Sequence, residues 1–113
     1  MNDTTIERLT ATKPVCNRAE IIARIKEHEA DMRALYATAL YIYGPAADDS
    51  LTSESDIDVF VDYDREGPFS FVEWVRGSDV LGALLGRKVS FTTRDGLDRG
   101  MRADIEATCV RVF

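Results

Sequence analysis

Two aspartates that lie two residues apart are the first candidates for chemistry in this sequence. They belong to the run Ser55-Asp56-Ile57-Asp58, at the start of a segment in which apolar and polar residues alternate. On a strand, residues i and i+2 share a face, with their Cα atoms about 6.5–7 Å apart. Carboxylates at that spacing can share a hard divalent cation such as Mg²⁺, which takes oxygen ligands and substrate phosphates. Asp56 and Asp58 are therefore candidate metal ligands.

The spacing alone has two interpretations. A chain this rich in aspartate contains about one Asp-x-Asp pair by chance, and a second copy is present at Asp62-Tyr63-Asp64, which we interpret as a solvated entry to a turn. The first pair differs because its loop follows a strand that ends in Gly44, where backbone N–H groups can approach a phosphate. The alternative is an exposed acidic loop that keeps an edge strand soluble.

The elements that would position these residues follow from periodicity and turn residues. Asn17 and Glu20 form a capping box that begins a helix over residues 18–36. The elements predicted after it are a strand over 39–43, a loop over 46–56, a strand over 57–63, one or two helices within 69–85, a strand over 88–93, a helix over 95–107 and a strand over 108–113. This order predicts an α/β (α+β) fold with a mixed sheet of about four strands and helices packed mainly on one face. Residues 1–16 are interpreted as a loosely held N-terminal arm, and 17–113 as the domain.

Composition narrows the classes of function. The chain has 113 residues, of which 45% are hydrophobic, enough for one domain with a core. Its net charge of −6 argues against a general nucleic-acid binder and against docking on anionic lipid. We find no signal peptide and no apolar stretch long enough to span a membrane. The two cysteines form no C-x-x-C pair, so reduced thiols and a cytoplasmic location are expected.

A longer pattern around the aspartates resembles a known family. The run Leu40-Tyr41-Ile42-Tyr43-Gly44-Pro45 is followed, after ten residues, by Asp56-Ile57-Asp58-Val59. This resembles the minimal nucleotidyltransferase domain family of the DNA polymerase β-like superfamily, whose signature is Gly-Ser, ten residues and Asp-x-Asp after a strand. The likeness extends over about residues 18–113 and implies a nucleotidyltransferase-like mixed sheet.

The resemblance also implies a site. Asp56 and Asp58 would be catalytic residues and metal ligands, while Gly44, Pro45 and Ser55 would lie at the nucleotide-binding positions. The implied cofactors are Mg²⁺ and ATP or another nucleoside triphosphate. The implied reaction transfers a nucleoside monophosphate to an acceptor hydroxyl.

Three departures from the family pattern fall on this site. Pro45 replaces the serine whose hydroxyl and N–H would reach the β- and γ-phosphates, and proline supplies neither. Residues 46–49 are Ala-Ala-Asp-Asp where the family has basic residues, so their charge would repel a triphosphate. Ser90 replaces the third carboxylate, and a neutral hydroxyl is a poor Mg²⁺ ligand and no base at neutral pH.

These departures lead to ranked hypotheses. The first is an antitoxin-like protein that binds and neutralises a HEPN-type toxin, with degraded or lost catalysis and weakly bound Mg²⁺ and ATP. The alternative is an active Mg²⁺-dependent enzyme that transfers AMP from ATP to a toxin tyrosine or another hydroxyl acceptor. Transfer to a small hydroxyl compound ranks last, because 113 residues leave little chain for a separate acceptor pocket. The expected partner is the toxin, with homo-oligomerisation left open and neither membrane nor direct nucleic-acid binding expected.

One aromatic cluster also has two interpretations. Phe69, Phe71 and Trp74 could form a docking patch, because aromatic residues anchor interfaces. We favour the alternative, in which they pack in the core under the sheet.

Overall fold

The strands form one mixed sheet in the computed structural model, which describes residues 13–113. The strands are Ala37–Tyr43 (β1), Ile57–Tyr63 (β2), Val89–Thr93 (β3) and Val110–Arg111 (β4), in the order β3-β2-β1-β4. β1 is antiparallel to β2 and β4, and β2 is parallel to β3. The helices are Arg18–Glu27 (α1), Glu29–Arg33 (α2), Pro45–Asp48 (α3), Phe71–Leu85 (α4) and Arg102–Thr108 (α5). The predicted α+β fold is confirmed.

The core lies between the sheet and helices α1 and α4. The alternation in β2 turns Ile57, Val59 and Val61 inward, and all three are fully buried. The apolar stripes of the two helices meet them, with these buried members: Ile21, Ile25, Val80, Leu81, Leu84 and Leu85. On the other face of the sheet Phe60 is also fully buried, because Tyr41 stacks on its ring and the Arg94 guanidinium lies over it. The core is therefore complete without the candidate metal ligands.

The predicted helix over 18–36 is wrong in its continuity. The helix breaks at His28, whose ψ of 24° and φ of −119° depart from helical values. Its Nδ1 lies 3.1 Å from the Asp31 carboxylate, a local pairing that competes with helix continuation. The second segment ends at Arg33, and Tyr36 then adopts a φ of 71° that turns the chain into β1. Consequently β1 begins two residues earlier than predicted.

Three other predicted bounds also shift. The predicted loop over 46–56 contains α3, because proline fits the first position of a helix and the N–H groups of Ala47 and Asp48 bond to the Gly44 carbonyl. The predicted helix over 95–107 is a 3₁₀ turn at Arg94–Gly96 followed by α5. The last strand shrinks to two residues. Conversely, α4 is one continuous helix and ends at Gly86 in the left-handed conformation, as the sequence predicted.

The predicted N-terminal arm lies mostly in residues 1–12, outside the described residues. Its last part, residues 13–16, packs on the domain: Val15 is 1% exposed, and its N–H bonds to the Leu85 carbonyl at 3.0 Å. Within residues 13–113, the helices are all too short or too polar to cross a membrane.

Candidate functional site

Gly44 and Asp58 occupy adjoining space at the end of β1. Gly44 has φ 64° and ψ −146°, a conformation that residues with a Cβ strongly avoid. A Cβ built on it would lie 2.7 Å from Asp58 Oδ2. The carboxylate therefore lies against bare backbone, and residue 44 must be glycine for two independent reasons.

The register of the sheet sets the neighbours of Asp58. It pairs with Tyr43 on β1 and with Ser90 on β3, so the three side chains share one face. Asp58 is half-buried, and Asp56 is exposed just before β2. Burial raises the pKa of the Asp58 carboxyl, and the charge of Asp56 raises it further. Burial and then the Asp58 charge likewise raise the pKa of the Tyr43 hydroxyl. The structure thus brings the two predicted carboxylates together.

These residues fit one hard divalent cation. Two neighbouring carboxylates that raise each other's proton affinity are a donor set for Mg²⁺, which would polarise a phosphate when bound. Asp56 and Asp58 would hold it, and Ser90 adds only a neutral hydroxyl. Lys88 Nζ lies 3.9 Å from Asp56 Oδ2, but its side chain is 83% exposed, so this ion pair is loose. In the described residues no group of three or more His, Cys, Asp or Glu is placed to hold a metal.

The remaining predicted site residues lie beside the carboxylates with their polar groups engaged or absent. Pro45 is half-buried and begins α3, where it offers no N–H. The Ser55 hydroxyl accepts a hydrogen bond from the Thr52 N–H at 3.1 Å and so closes its own loop. Its role in binding a nucleotide stays a prediction.

The acidic residues after α3 have local partners. The Asp49 carboxylate accepts from the N–H of Arg18 at 2.8 Å, at the start of α1. Asp48 accepts from Ser50, and these hydrogen bonds lower the pKa of its carboxyl. The two carboxylates therefore stabilise the backbone, a role beyond the repulsion of triphosphate that the sequence indicated.

Sequence reasoning missed Arg87 as an organiser of this edge. Its guanidinium donates to the carbonyl oxygens of Val15 at 3.2 Å, Ser55 at 2.6 Å and Thr52. It thereby ties the segment before α1 and the loop before β2 to the turn before β3. No spacing rule separates such an arginine from a solvated one, because its partners lie 32 to 72 residues away.

Two further interpretations of the sequence are wrong. Asp62 is not merely solvated, because Arg94 Nε donates to its Oδ1 at 2.7 Å and Arg94 Nη2 to its Oδ2 at 3.0 Å. Phe71 and Trp74 do not pack under the sheet: they are 73% and 42% exposed. The indole of Trp74 donates to the Phe91 carbonyl on edge strand β3 at 2.7 Å, which fixes the ring outside the core.

Comparisons with known proteins agree with the fold and with the aspartate pattern. The family model described as nucleotidyltransferase domain matches residues 25–112. A protein of Methanocaldococcus jannaschii with the provisional name of a protein adenylyltransferase is 29% identical over 80 residues, which are 70% of this chain and 80% of that protein.

Solved structures give the same architecture. One described provisionally as a minimal nucleotidyltransferase superposes with a TM-score of 0.72 and 19% identity, covering 83% of this chain and 94% of its own. Another, a provisional nucleotidyltransferase of Sulfolobus solfataricus, gives a TM-score of 0.49 and 14% identity, covering 83% and 80%.

Proposed function

The chain belongs to the nucleotidyltransferase domain family, and on that premise we propose that it is an antitoxin-like member that binds and neutralises a HEPN-type toxin, with degraded or lost nucleotidyl transfer. The observation that carries the loss of catalysis is the residue beside Asp58. The register puts Ser90 there, on the face of the two carboxylates. A serine at this position supports one metal site in place of a set of three carboxylates.

The cradle next to the carboxylates supports the same conclusion. Gly44 lets the backbone come close to a phosphate, but the next residue, Pro45, lacks both the N–H and the hydroxyl. Each lost contact to a developing charge costs about 3–4 kcal/mol of transition-state stabilisation. Losses at Pro45 and Ser90 together reduce the rate by several orders of magnitude.

A surface on α4 supports a protein partner. Four neighbouring apolar side chains on this helix are exposed, and we call them the α4 apolar surface: Phe71, Val72, Trp74 and Val75. Exposed aromatic and aliphatic side chains clustered in this way are typical of protein interfaces. The surface leaves the carboxylates accessible, because it lies beside the edge of β3, where Trp74 bonds to Phe91.

A second candidate is an active enzyme that transfers AMP to a hydroxyl of the toxin. In that reaction the acceptor oxygen bonds to the α-phosphorus, pyrophosphate leaves and the hydroxyl proton is released. The retained pair of Asp56 and Asp58 against Gly44 favours it, as does the name of the Methanocaldococcus relative.

Coexpression with the HEPN-type protein encoded beside this gene tests the proposal. We expect growth to be restored and a complex to elute in size-exclusion chromatography, both with the natural chain and with Asp56→Asn combined with Asp58→Asn. Transfer of label from α-labelled ATP to the toxin should stay at background. If the double variant still binds but no longer restores growth, the active-enzyme candidate replaces our proposal. If the natural chain gives neither complex nor rescue, the proposal is contradicted.

A pair of surface variants tests the interface. Phe71→Asp places a charge on the α4 apolar surface and should weaken the complex at least about tenfold. Ala103→Asp, on exposed α5, is the matched control and should bind as the natural chain does. Equal affinity of the two variants would exclude the α4 apolar surface from the interface, and thermal melts would confirm that both variants fold.

A further inference from the structure

A cleft of about 680 Å³ opens where β2 and β3 begin, and we call it the β2–β3 cleft. It is lined by residues 14–16, 51–56 and 86–88. All of them precede α1, β2 or β3, and none belongs to β1 or α3. Pockets of about 300–1,000 Å³ are of the size that binds small molecules or short peptide segments.

The cleft and Gly44 lie on opposite sides of the aspartate pair. β2, which follows Asp56, lies between β1 and β3 in the sheet. Gly44 approaches Asp58 from the β1 side, whereas Asp56 itself lines the cleft on the β3 side. In a group transfer the two reactants must meet at the reacting phosphorus from different directions. The glycine side suits the phosphates, which leaves the cleft for the acceptor.

The charges of the cleft also disfavour a polyphosphate. Arg87 already donates to three backbone carbonyl oxygens, so its charge is committed to the walls. Lys88 faces Asp56, and Glu54 adds a second carboxylate to the lining. A triphosphate would meet carboxylates here with one exposed ammonium to offset them, whereas a neutral ligand would not meet this repulsion.

The walls fit a segment of polypeptide. Their inner part is apolar, with Val15 fully buried and Leu51 half-buried. Hydroxyl groups of Thr52 and Ser53 lie on the loop above. Because Arg87 binds the carbonyl groups of that loop, the cleft is preformed and loses little entropy when a ligand enters.

We infer that the β2–β3 cleft binds a short polypeptide segment and presents its hydroxyl-bearing side chain beside Asp56. This inference rests on the proposed function, because a neutralising protein without catalysis would still hold the segment that an active relative would modify. The cleft would then be part of the contact with the partner, separate from the α4 apolar surface.

Two small probes on the ¹⁵N-labelled chain test the inference without the toxin. We expect N-acetyl-L-tyrosinamide to shift the amide resonances of residues 52–56 and 86–88, and Mg-ATP to shift those of Gly44 and residues 46–49. No shift in the cleft with tyrosinamide would overturn the inference. Mg-ATP shifts in the cleft in place of the Gly44 turn would also overturn it and assign the cleft to the nucleoside.

Blocking the cleft gives a second readout. Cys16 lines it and is exposed, so a pyrene maleimide adduct on Cys16 in the Cys109→Ser chain should weaken tyrosinamide binding at least about tenfold. The matched control carries the adduct at Ala103→Cys on α5, with Cys16→Ser and Cys109→Ser, and should bind normally. Equal tyrosinamide binding by both adducts would contradict the inference. Absence of a toxin complex, with these shifts intact, would contradict the proposed function alone.

Discussion

Gly44 and the Asp58 carboxylate are in direct contact, because the Cβ position of residue 44 lies 2.7 Å from Asp58 Oδ2. Gly44→Ala would force the carboxylate away and would also hold alanine at a φ of 64°. We expect the free energy of unfolding in urea to fall by about 1–3 kcal/mol.

The control for this variant is Gly82→Ala in α4. A Cβ there meets only the Arg87 carbonyl oxygen at 3.7 Å, an ordinary contact. Alanine in the helix interior should therefore raise the free energy of unfolding by about 0.5–1 kcal/mol. If Gly44→Ala were as well tolerated as Gly82→Ala, the close packing of residue 44 on Asp58 would be excluded.

The sequence predicted the parts of the fold that depend on periodicity. The bounds of β2 match the prediction over 57–63, because alternation over seven residues has one solution that buries Ile57, Val59 and Val61. The same period predicted that Ser90 would turn toward the site, and the pairing of Ser90 with Asp58 agrees.

Partnerships between distant side chains were not predictable. Asp62 and Arg94 are 32 residues apart, and Arg87 meets the carbonyl of Val15 across 72 residues. Periodicity assigns a charged residue to a face, but it does not say which partner the fold brings to that face. Trp74 was misjudged for a related reason: its size favours burial, whereas its N–H bonds to the Phe91 carbonyl at the edge of the sheet.

The ion pair of Asp62 with Arg94 should make stability depend on pH. Hydrogen bonds from Arg94 hold the pKa of Asp62 below its ordinary 3.8, and the nearby Tyr41 and Arg111 also favour the ionised form. A lowered carboxyl pKa stabilises the fold above pH about 4 and loses this effect as the pH falls through the lowered value. The difference in unfolding free energy between the natural chain and Asp62→Asn should therefore be largest near neutrality and shrink below pH 4.

The control is the same comparison in an Arg94→Ala background. Without the guanidinium, the pH-dependent part of the difference should largely disappear. A difference that stays constant between pH 7 and pH 3 in the natural background would rule out this linkage.

Removal of divalent metal should not change the stability of the fold. The buried cluster contains neither Asp56 nor Asp58, so folding does not depend on a cation between them. We expect thermal melts with and without EDTA to coincide. A Tm lower by several degrees with EDTA would show a metal bound tightly enough to stabilise the native state, against this prediction.

Mg-ATP should bind weakly, with a Kd in the high micromolar range or above. Asp56 and Asp58 can hold one cation, but Pro45 offers no N–H to the phosphates and Ser90 adds no charge to the metal site. Titration calorimetry of the natural chain and of Asp56→Ala measures this. Low-micromolar affinity that Asp56→Ala abolishes would mean that the cradle works despite proline.

The geometry around Asp58 allows a repair of the site. Ser90 is exposed opposite Asp58, so an aspartate fits there without entering the core. Serine at residue 45 keeps the start of α3 and returns an N–H and a hydroxyl beside Gly44. Pro45→Ser and Ser90→Asp act on the same phosphate, so their effects on rate should be cooperative.

We therefore expect the double variant Pro45→Ser/Ser90→Asp to transfer label from α-labelled ATP to the partner toxin at a rate well above either single variant. Since each restored contact contributes about 10²–10³ in rate, the gain should be easily measurable. Adding Asp58→Asn to the double variant should abolish the transfer, because the restored groups need the original carboxylate. Robust transfer by the natural chain would show that Pro45 and Ser90 do not silence the site. Inactivity of a folded, toxin-binding double variant would place the defect elsewhere in the site.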